Sequence, residues 1–337
     1  MKRIIALCDY KGRFGSKYFP HIYRQGMDKV LLDKYFQKSG YSVLYEQMIN
    51  ASALEISDTP VIYTASEDAD YKYKSFIEDM VLGIELRGAR TLPPFKYLRA
   101  TNNKILMEQL RNILLPEQYH ANTYFFGTLE EIRLKTETLR YPLVVKTAGG
   151  AVSRGVFKAQ DPAGLQGIAK RISRTRNLKF EFKDKVRELR HKDYSKESLH
   201  RKKFIVQEFQ DGVQNDWKVL VYYDKVFVLR RRNRPGDFRA SGSGLFSFDD
   251  TVDSRLLEAG IEIRKALDIP MVSLDLAFKD DIVILFEFQG VHFGTSTLEK
   301  SPYYYTKSSG EWQKIVGKSI LEDVYAKAIV DYLEKEN

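Results

Sequence analysis

The sequence predicts an α/β protein of two or three compact lobes, on three observations. The first 95 or so residues alternate β-branched apolar runs with helical patterns. The later parts read as paired strands joined by tight turns, interrupted by a few amphipathic helices. A chain of 337 residues, 43% hydrophobic and 29% charged, is too long for one simple core but ordinary for several lobes.

The run KRIIALC predicts a first strand, followed by a loop with Gly12 and Gly15, a helix over residues 27–38 and the strand YSVLYE. That order is a βαβ start. A further strand, TPVIYTAS, and a helix over residues 73–86 complete a small lobe, and Pro93 and Pro94 place a boundary near residue 95. In TNNKILMEQLRNI, the spacing of Ile105, Leu106, Leu110 and Ile113 predicts a helix with Thr101 or Asn102 as its N-cap. YPLVVKTA, a Gly-rich turn and GVFKA then form a hairpin signal.

Residues 171–203 hold thirteen Lys/Arg against five Asp/Glu, a net +8, and predict a solvated helical insertion. Beyond it come the strand KFIVQEF and the hairpin DWKVLVYYDKVFVLRRR, which turns at Asp224-Lys225. A Gly/Ser-rich loop and a helix over residues 256–267 precede the strands MVSLDLAF and IVILFEFQG, joined by a turn at 279–281.

Composition narrows the function classes. The single cysteine, Cys8, lies in the apolar first strand, so neither a disulfide framework nor a cysteine metal cluster can form, and a reducing, cytoplasmic setting is expected. No segment approaches the roughly 20 apolar residues that span a bilayer, and no signal-peptide pattern opens the chain. The net charge of +9 implies an anionic partner, which a nucleotide or an acidic substrate satisfies as well as nucleic acid.

The most chemical segment is VVKTAGGAVSRGVFKA, in which Lys146 ends a buried strand and Gly149, Gly150, Ser153 and Gly155 follow. Glycines let backbone N–H groups approach phosphate oxygens, and the lysine adds a point charge. Taken alone, the same pattern is equally a flexible hairpin turn. The Walker pattern and the dinucleotide GxGxxG are both absent. Asp275 and Glu287 each sit inside otherwise apolar strands that the turn makes antiparallel neighbours. Two carboxylates buried there require a cation, and Gln289, two residues past Glu287, offers a third oxygen to Mg2+. LRRRNRPGDFRASGSG gathers Arg230, Arg231, Arg232, Arg234 and Arg239 beside a small-residue loop, a composition suited to binding carboxylate or phosphate and closing over a reacting centre.

In this order the segments resemble the ATP-grasp superfamily, particularly the branch with ribosomal-protein glutamate ligases and, more distantly, glutathione synthetases and D-alanine-D-alanine ligases. The resemblance covers about residues 96–335. It implies an N-terminal α/β pre-ATP-grasp domain over residues 1–95, then two α+β subdomains that clasp ATP, 96–206 with the basic insertion 171–203, and 207–337. It implies that Lys104 in NNKILMEQL and Lys146 lie near the nucleotide phosphates under the loop of Gly149, Gly150, Ser153 and Gly155. IVQEF resembles the hinge, with Gln207 leading in, Glu208 and Phe209 meeting adenine through backbone groups, and Asp216 or Asp211 approaching the ribose.

DWKVLVYYDKV is similar to the family's D-x-R-V-x-V-x-x-x-K-V strand pair, with Lys218 where arginine is commoner, and lysine cannot reproduce a planar bidentate grip. RRRNRPGDFRASGSG matches R-R-x-x-x-G-D-F-R, which implies Arg232 and Arg239 near an acyl phosphate. Asp275 and Glu287 fall on the two magnesium-binding acidic positions, and Gln289 falls where asparagine is usual.

The resemblance thus implies an ATP-dependent carboxylate-amine ligase that uses ATP and Mg2+, with Mn2+ as an alternative, and acts on small-molecule or peptide carboxylates and amines. A phosphotransferase acting on a hydroxyl remains open on the same scaffold. So does a nucleotide- or nucleic-acid-binding module, although the basic insertion has few aromatics for base stacking beyond Phe180, Phe182 and Tyr194. A homo-oligomer is compatible with all three readings.

Overall fold

The computed structural model describes residues 1–18, 26–56, 59–150, 155–175, 177–239 and 244–335. They form two compact units, one of Met1–Thr101, Ile113–Tyr119 and Val213–Asn337, the other of Asn102–Asn112 and His120–Gly212.

The larger unit contains two sheets. The first is parallel, in the order Tyr41–Gln47, Lys2–Cys8, Val61–Tyr63, Thr91–Leu92, with the predicted helices at Lys29–Lys38 and Lys72–Leu86 as its crossovers. Asp28 caps the first helix by accepting from the backbone N–H groups of Val30 and Leu31. The second sheet is antiparallel and seven-stranded. Ile282–Gln289, Met271–Lys279, Asn215–Tyr222, Lys225–Arg232, Tyr303–Ser308 and Glu311–Val316 follow in order, and Phe246–Ser247 also pairs with Lys225–Arg232. The final hairpin, and the Leu321–Glu334 helix behind it, carry no motif and were not anticipated.

One face of the N-terminal lobe's sheet shares its core with the rest of the unit. Ile4, Ala6, Phe14, Leu32 and Phe36 form one buried cluster with Leu220, Tyr222 and Phe227 of the large sheet and Val324, Ile329 and Leu333 of the last helix. Cys8 lies in this cluster, 2% exposed, and burial pushes its thiol pKa up. Thiol alkylation of the native protein is therefore expected to be negligible and to appear only on unfolding, and Cys8→Ser is expected to retain activity. Rapid labelling of the folded chain would contradict this placement.

The smaller unit is a four-stranded antiparallel sheet in the order Thr123–Phe126, Phe204–Glu208, Leu143–Thr147, Val156–Ala159. One face packs Phe126, Leu143, Val145, Phe204 and Val206 against Leu129 and Ile132 and against Leu165 and Ala169 of the Pro162–Ser173 helix. By strand alternation the other face carries Thr123, Val144, Lys146, Lys158, Ile205 and Gln207. IVQEF thus belongs to this sheet, not to the start of a C-terminal subdomain.

The predicted N-caps for the residue-104 helix are displaced. Thr101 instead closes the Phe95–Ala100 helix, donating its hydroxyl to the Tyr97 carbonyl, and Asn102 adopts a left-handed φ of 59°. The helix itself runs Lys104–Leu114. Among the described residues, no helix is long and apolar enough to cross a membrane.

Candidate functional site

Each unit carries a polar face. In the smaller unit, the backbone N–H of Lys104 donates to the Ala148 carbonyl at 2.8 Å, tying the first turn of its helix to the end of the strand that bears Lys146. The first turn of a helix and two lysines carried on one small unit are a setting for phosphate. The glycine turn is shaped by Thr147, whose hydroxyl donates to the Gly149 carbonyl at 2.7 Å. Gly150 takes a φ of +116°, and a Cβ on Gly155 would fall 2.0 Å from the Thr147 hydroxyl. Glycine is therefore required at 155 for the hairpin to close. Ser153 lies outside the described residues.

The hinge residues separate. Gln207 is buried on the Lys146 face and donates its side-chain amide to the Thr123 hydroxyl at 2.8 Å, whereas Glu208 turns to the opposite face and accepts from Asn122 at 3.2 Å. Phe209 returns its backbone N–H to Pro142, and its ring lies under the Lys158 ammonium at 3.6 Å from the centroid. Lys158 shares the Lys146 face but was not singled out from the sequence, because GVFKA reads only as the return strand of a hairpin. Lys146→Ala is expected to weaken ATP binding about tenfold or more in calorimetry, by removing a charge-assisted contact. Unchanged affinity would detach Lys146 from the nucleotide.

In the larger unit, the carboxylates meet because of one irregularity. From the turn at 280–281 the Met271–Lys279 and Ile282–Gln289 strands pair Lys279 with Ile282 through Leu276 with Leu285, and the register then shifts so that Asp275 lies opposite Glu287. A regular ladder would set Phe286 there and turn Glu287 to the other face. The bulge at Phe286 therefore places Asp275 and Glu287 on one face, with Gln289 opposite Ser273 on the same side and its amide donating to Glu287 at 3.3 Å.

Across the neighbouring strand, Lys218 stands opposite Asp275 and donates to its Oδ1 at 2.9 Å. Arg231 donates to Asp275 Oδ2 at 2.9 Å and grips Asp216 through Nε at 2.5 Å and through a terminal nitrogen at 2.8 Å. The network is almost wholly buried, with Asp216 at 6% and Arg231 at 8% exposure. Burial alone would raise the Asp275 pKa, but Arg231 and Lys218 outweigh it and hold this carboxyl below its usual range, so it remains ionised.

Four residues named from the sequence are placed here as follows. Asp216 does not present itself to a ribose, because both its oxygens are taken by Arg231. Asp211 is exposed in the turn beyond the hinge strand. Arg232 is exposed, and strand alternation turns it away from the carboxylate face, so the arginine that reaches Asp275 is its neighbour Arg231. Arg239 lies beyond the strand and forms a bidentate pair with Asp237, two residues before it, through two nitrogens at 2.9 Å each. Residues 240–243 of the adjoining Gly/Ser loop lie outside the described residues.

The donor set can be weighed against a divalent ion. Among the described residues, no group of three or more His, Cys, Asp or Glu side chains is arranged to cage a metal. What is present is two opposed carboxylates and an amide, hard oxygen donors too few for a closed site and suited to an ion that completes its shell with phosphate oxygens and water. Asp275 already carries two cationic partners, so Glu287 and Gln289 would be the readier ligands.

Comparison with known proteins agrees with this architecture. No family sequence model matches the chain. The formate-dependent phosphoribosylglycinamide formyltransferase of Rhodococcus jostii is 23% identical over 162 residues, and the match spans 46% of this chain but only 39% of that protein. Among solved structures, N5-carboxyaminoimidazole synthetase from Staphylococcus aureus, complexed with ADP, superposes with a TM-score of 0.55 at 10% identity over 98% of this chain and 77% of that one. D-cycloserine synthetase DcsG gives 0.53 at 11% identity, covering 98% and 99% of the two chains. D-alanine-D-alanine ligase from Bacillus anthracis, complexed with ATP, gives 0.50 at 13% identity, covering 100% and 99%. The chain has the ATP-grasp fold.

Proposed function

We propose that this protein is an ATP-dependent carboxylate-amine ligase that forms its product through an acyl phosphate. The observation that carries the reading is the bulge at Phe286, which turns Asp275 and Glu287 to one face beside Lys218 and Arg231. A strand irregularity of this kind costs ladder hydrogen bonds and serves to re-aim a side chain. The structural relatives are synthetases and a ligase, which supports the same class.

Lys104, Lys146 and the backbone around Gly149, Gly150 and Gly155 bind and neutralise the ATP phosphates, with Lys158 a further cation on their face. Phe209, beneath Lys158, offers its ring and its backbone carbonyl to the adenine, its N–H being bonded to Pro142. Asp275, Glu287 and Gln289 would hold Mg2+ or Mn2+. The ion, when bound, neutralises charge on the terminal phosphates during transfer.

A carboxylate oxygen of the first substrate attacks the γ-phosphorus, the bond to the β-phosphate oxygen breaks, and ADP leaves. The nitrogen of the second substrate then attacks the acyl carbon. Phosphate departs, the nitrogen loses its proton to solvent, and an amide remains. Arg231 fixes Asp275, and Arg239 is the cation on the adjoining loop suited to the oxyanion of the tetrahedral intermediate.

A panel of amino acids and dicarboxylic acids, paired with amines and followed by ADP release and mass spectrometry, tests the proposal. Ligation predicts ADP release that needs both substrates and a product lighter by one water than their sum. Phosphate retained on an alcohol would reject ligation in favour of phosphotransfer.

A further inference from the structure

The Leu178–Arg190 helix, in the basic segment 171–203, is amphipathic but faces the wrong way for its own unit. The residue it buries is Asp184, which accepts from the Tyr194 hydroxyl at 2.5 Å and lies 3.7 Å from Arg187. Its other anchors are polar as well. Glu181 accepts twice from Arg174, at 2.9 and 3.1 Å, and Arg201 lies over the Phe180 ring. Phe180 and Val186 are half-buried, but three large apolar side chains point outward, with Leu178 81%, Phe182 71% and Leu189 83% exposed.

These three residues are spaced by four and seven positions and therefore form one stripe along about three helical turns, roughly 16 Å. Exposed Lys179, Lys183 and Arg190 border the stripe on one side, and on the other exposed Lys185 falls at its edge, with Glu181 and Glu188, paired with Arg174 and Lys196, beyond it. Helices of water-soluble units turn such stripes inward, because an exposed Leu or Phe forgoes the favourable transfer of its apolar surface out of water. Isolated exposed apolar residues are ordinary, but an aligned set on an element anchored through its polar side marks a contact surface.

We infer that the outer face of the Leu178–Arg190 helix is a docking surface for an acidic amphipathic helical segment of a partner protein or peptide. The stripe is narrow and has Lys185 at its edge, which matches the seam of a two-helix contact. A helix lying in a lipid surface needs a broader apolar face. The border of Lys179, Lys183 and Arg190, with Lys185 at the opposite edge, selects for Glu and Asp on the partner and repels basic segments. Nucleic acid fits poorly, because the stripe presents two leucines and a single aromatic ring, whereas strand binding uses stacked aromatics along a basic groove.

The test uses the full chain and a fluorescein-labelled synthetic peptide of about four helical turns, with Leu at heptad positions a and d, Glu at e and g, and Ala elsewhere. A peptide of the same composition, scrambled to break the heptad, is the control, and binding is read by fluorescence anisotropy. The heptad peptide should bind at least about tenfold more tightly than the control and should weaken with added salt. Leu178→Ser/Phe182→Ser/Leu189→Ser and, separately, Lys179→Glu/Lys183→Glu/Arg190→Glu should each lose about tenfold in affinity while ADP release is unchanged.

All six side chains are exposed, so both variants should melt like the parent, and the charge-reversal variant still decides the matter if the serine variant unfolds. Equal affinity for the scrambled peptide, no measurable binding, or indifference to both variants would overturn the inference. Co-sedimentation with phosphatidylserine vesicles in preference to the peptide would overturn it in favour of a lipid surface.

Discussion

Glu287→Ala is expected to abolish ATP turnover, lowering the rate of ADP release on the order of a thousandfold, while the fold persists. Glu287 is a half-buried strand residue whose carboxylate faces Asp275 across the bulge. Removing a metal-ligating carboxylate forfeits several kcal/mol of charge stabilisation in the transferring state, and about 1.4 kcal/mol is tenfold in rate. The side chain lies on a polar face and fills no packed core, so its loss should cost about 1 kcal/mol or less of stability. ADP release by the variant at the parent rate would refute the carboxylate face as the reacting centre. A large fall in melting temperature would make Glu287 structural.

Arg231→Met is expected to have the largest effect on stability. The guanidinium bridges Asp216, which is buried in the sheet, and the half-buried Asp275. Breaking a buried pair by removing one partner costs about 3–5 kcal/mol, because the charges left behind are neither hydrated nor compensated. Lys218 still contacts Asp275 but not Asp216, so the loss should fall mainly on the Asp216 side. Arg231→Met/Asp216→Asn should recover part of it in a double-mutant cycle by urea unfolding. Arg232→Met, one residue on, should change stability by no more than about 0.5 kcal/mol. If the two arginine variants exchanged these effects, the face assignment of the strand would be wrong.

The contrast between these two arginines shows where sequence reading stops. In LRRRNRPGDFR every arginine offers the same chemistry, and the choice between Arg231 and Arg232 follows only from the register that sets Arg231 against Asp216. Lys158 went unnoticed for a similar reason. Its role comes from sharing a face with Lys146 and reaching over Phe209, a residue 51 positions away that only sheet pairing brings near. The last hairpin and the Leu321–Glu334 helix carry no recognisable motif, yet the helix supplies Val324, Ile329 and Leu333 to the core shared by the N-terminal lobe and the large sheet.

Local features were legible because they rest on neighbours in the chain. The βαβ opening, the hairpin at Asp224-Lys225, the Gly-rich turn after Lys146 and the helical nature of the basic insertion all follow from periodicity and turn chemistry, and the order of motifs pointed to the fold that the solved structures share. The amino-acid order by itself thus determined which chemical groups this protein possesses and the elements that bear them. Tertiary structure decided which groups meet. A single extra residue at Phe286 puts Glu287 beside Asp275, and the outward turn of the Leu178–Arg190 helix leaves its apolar stripe in water. Strand register and helix orientation are settled by packing and ion pairs between distant segments, which no local pattern encodes.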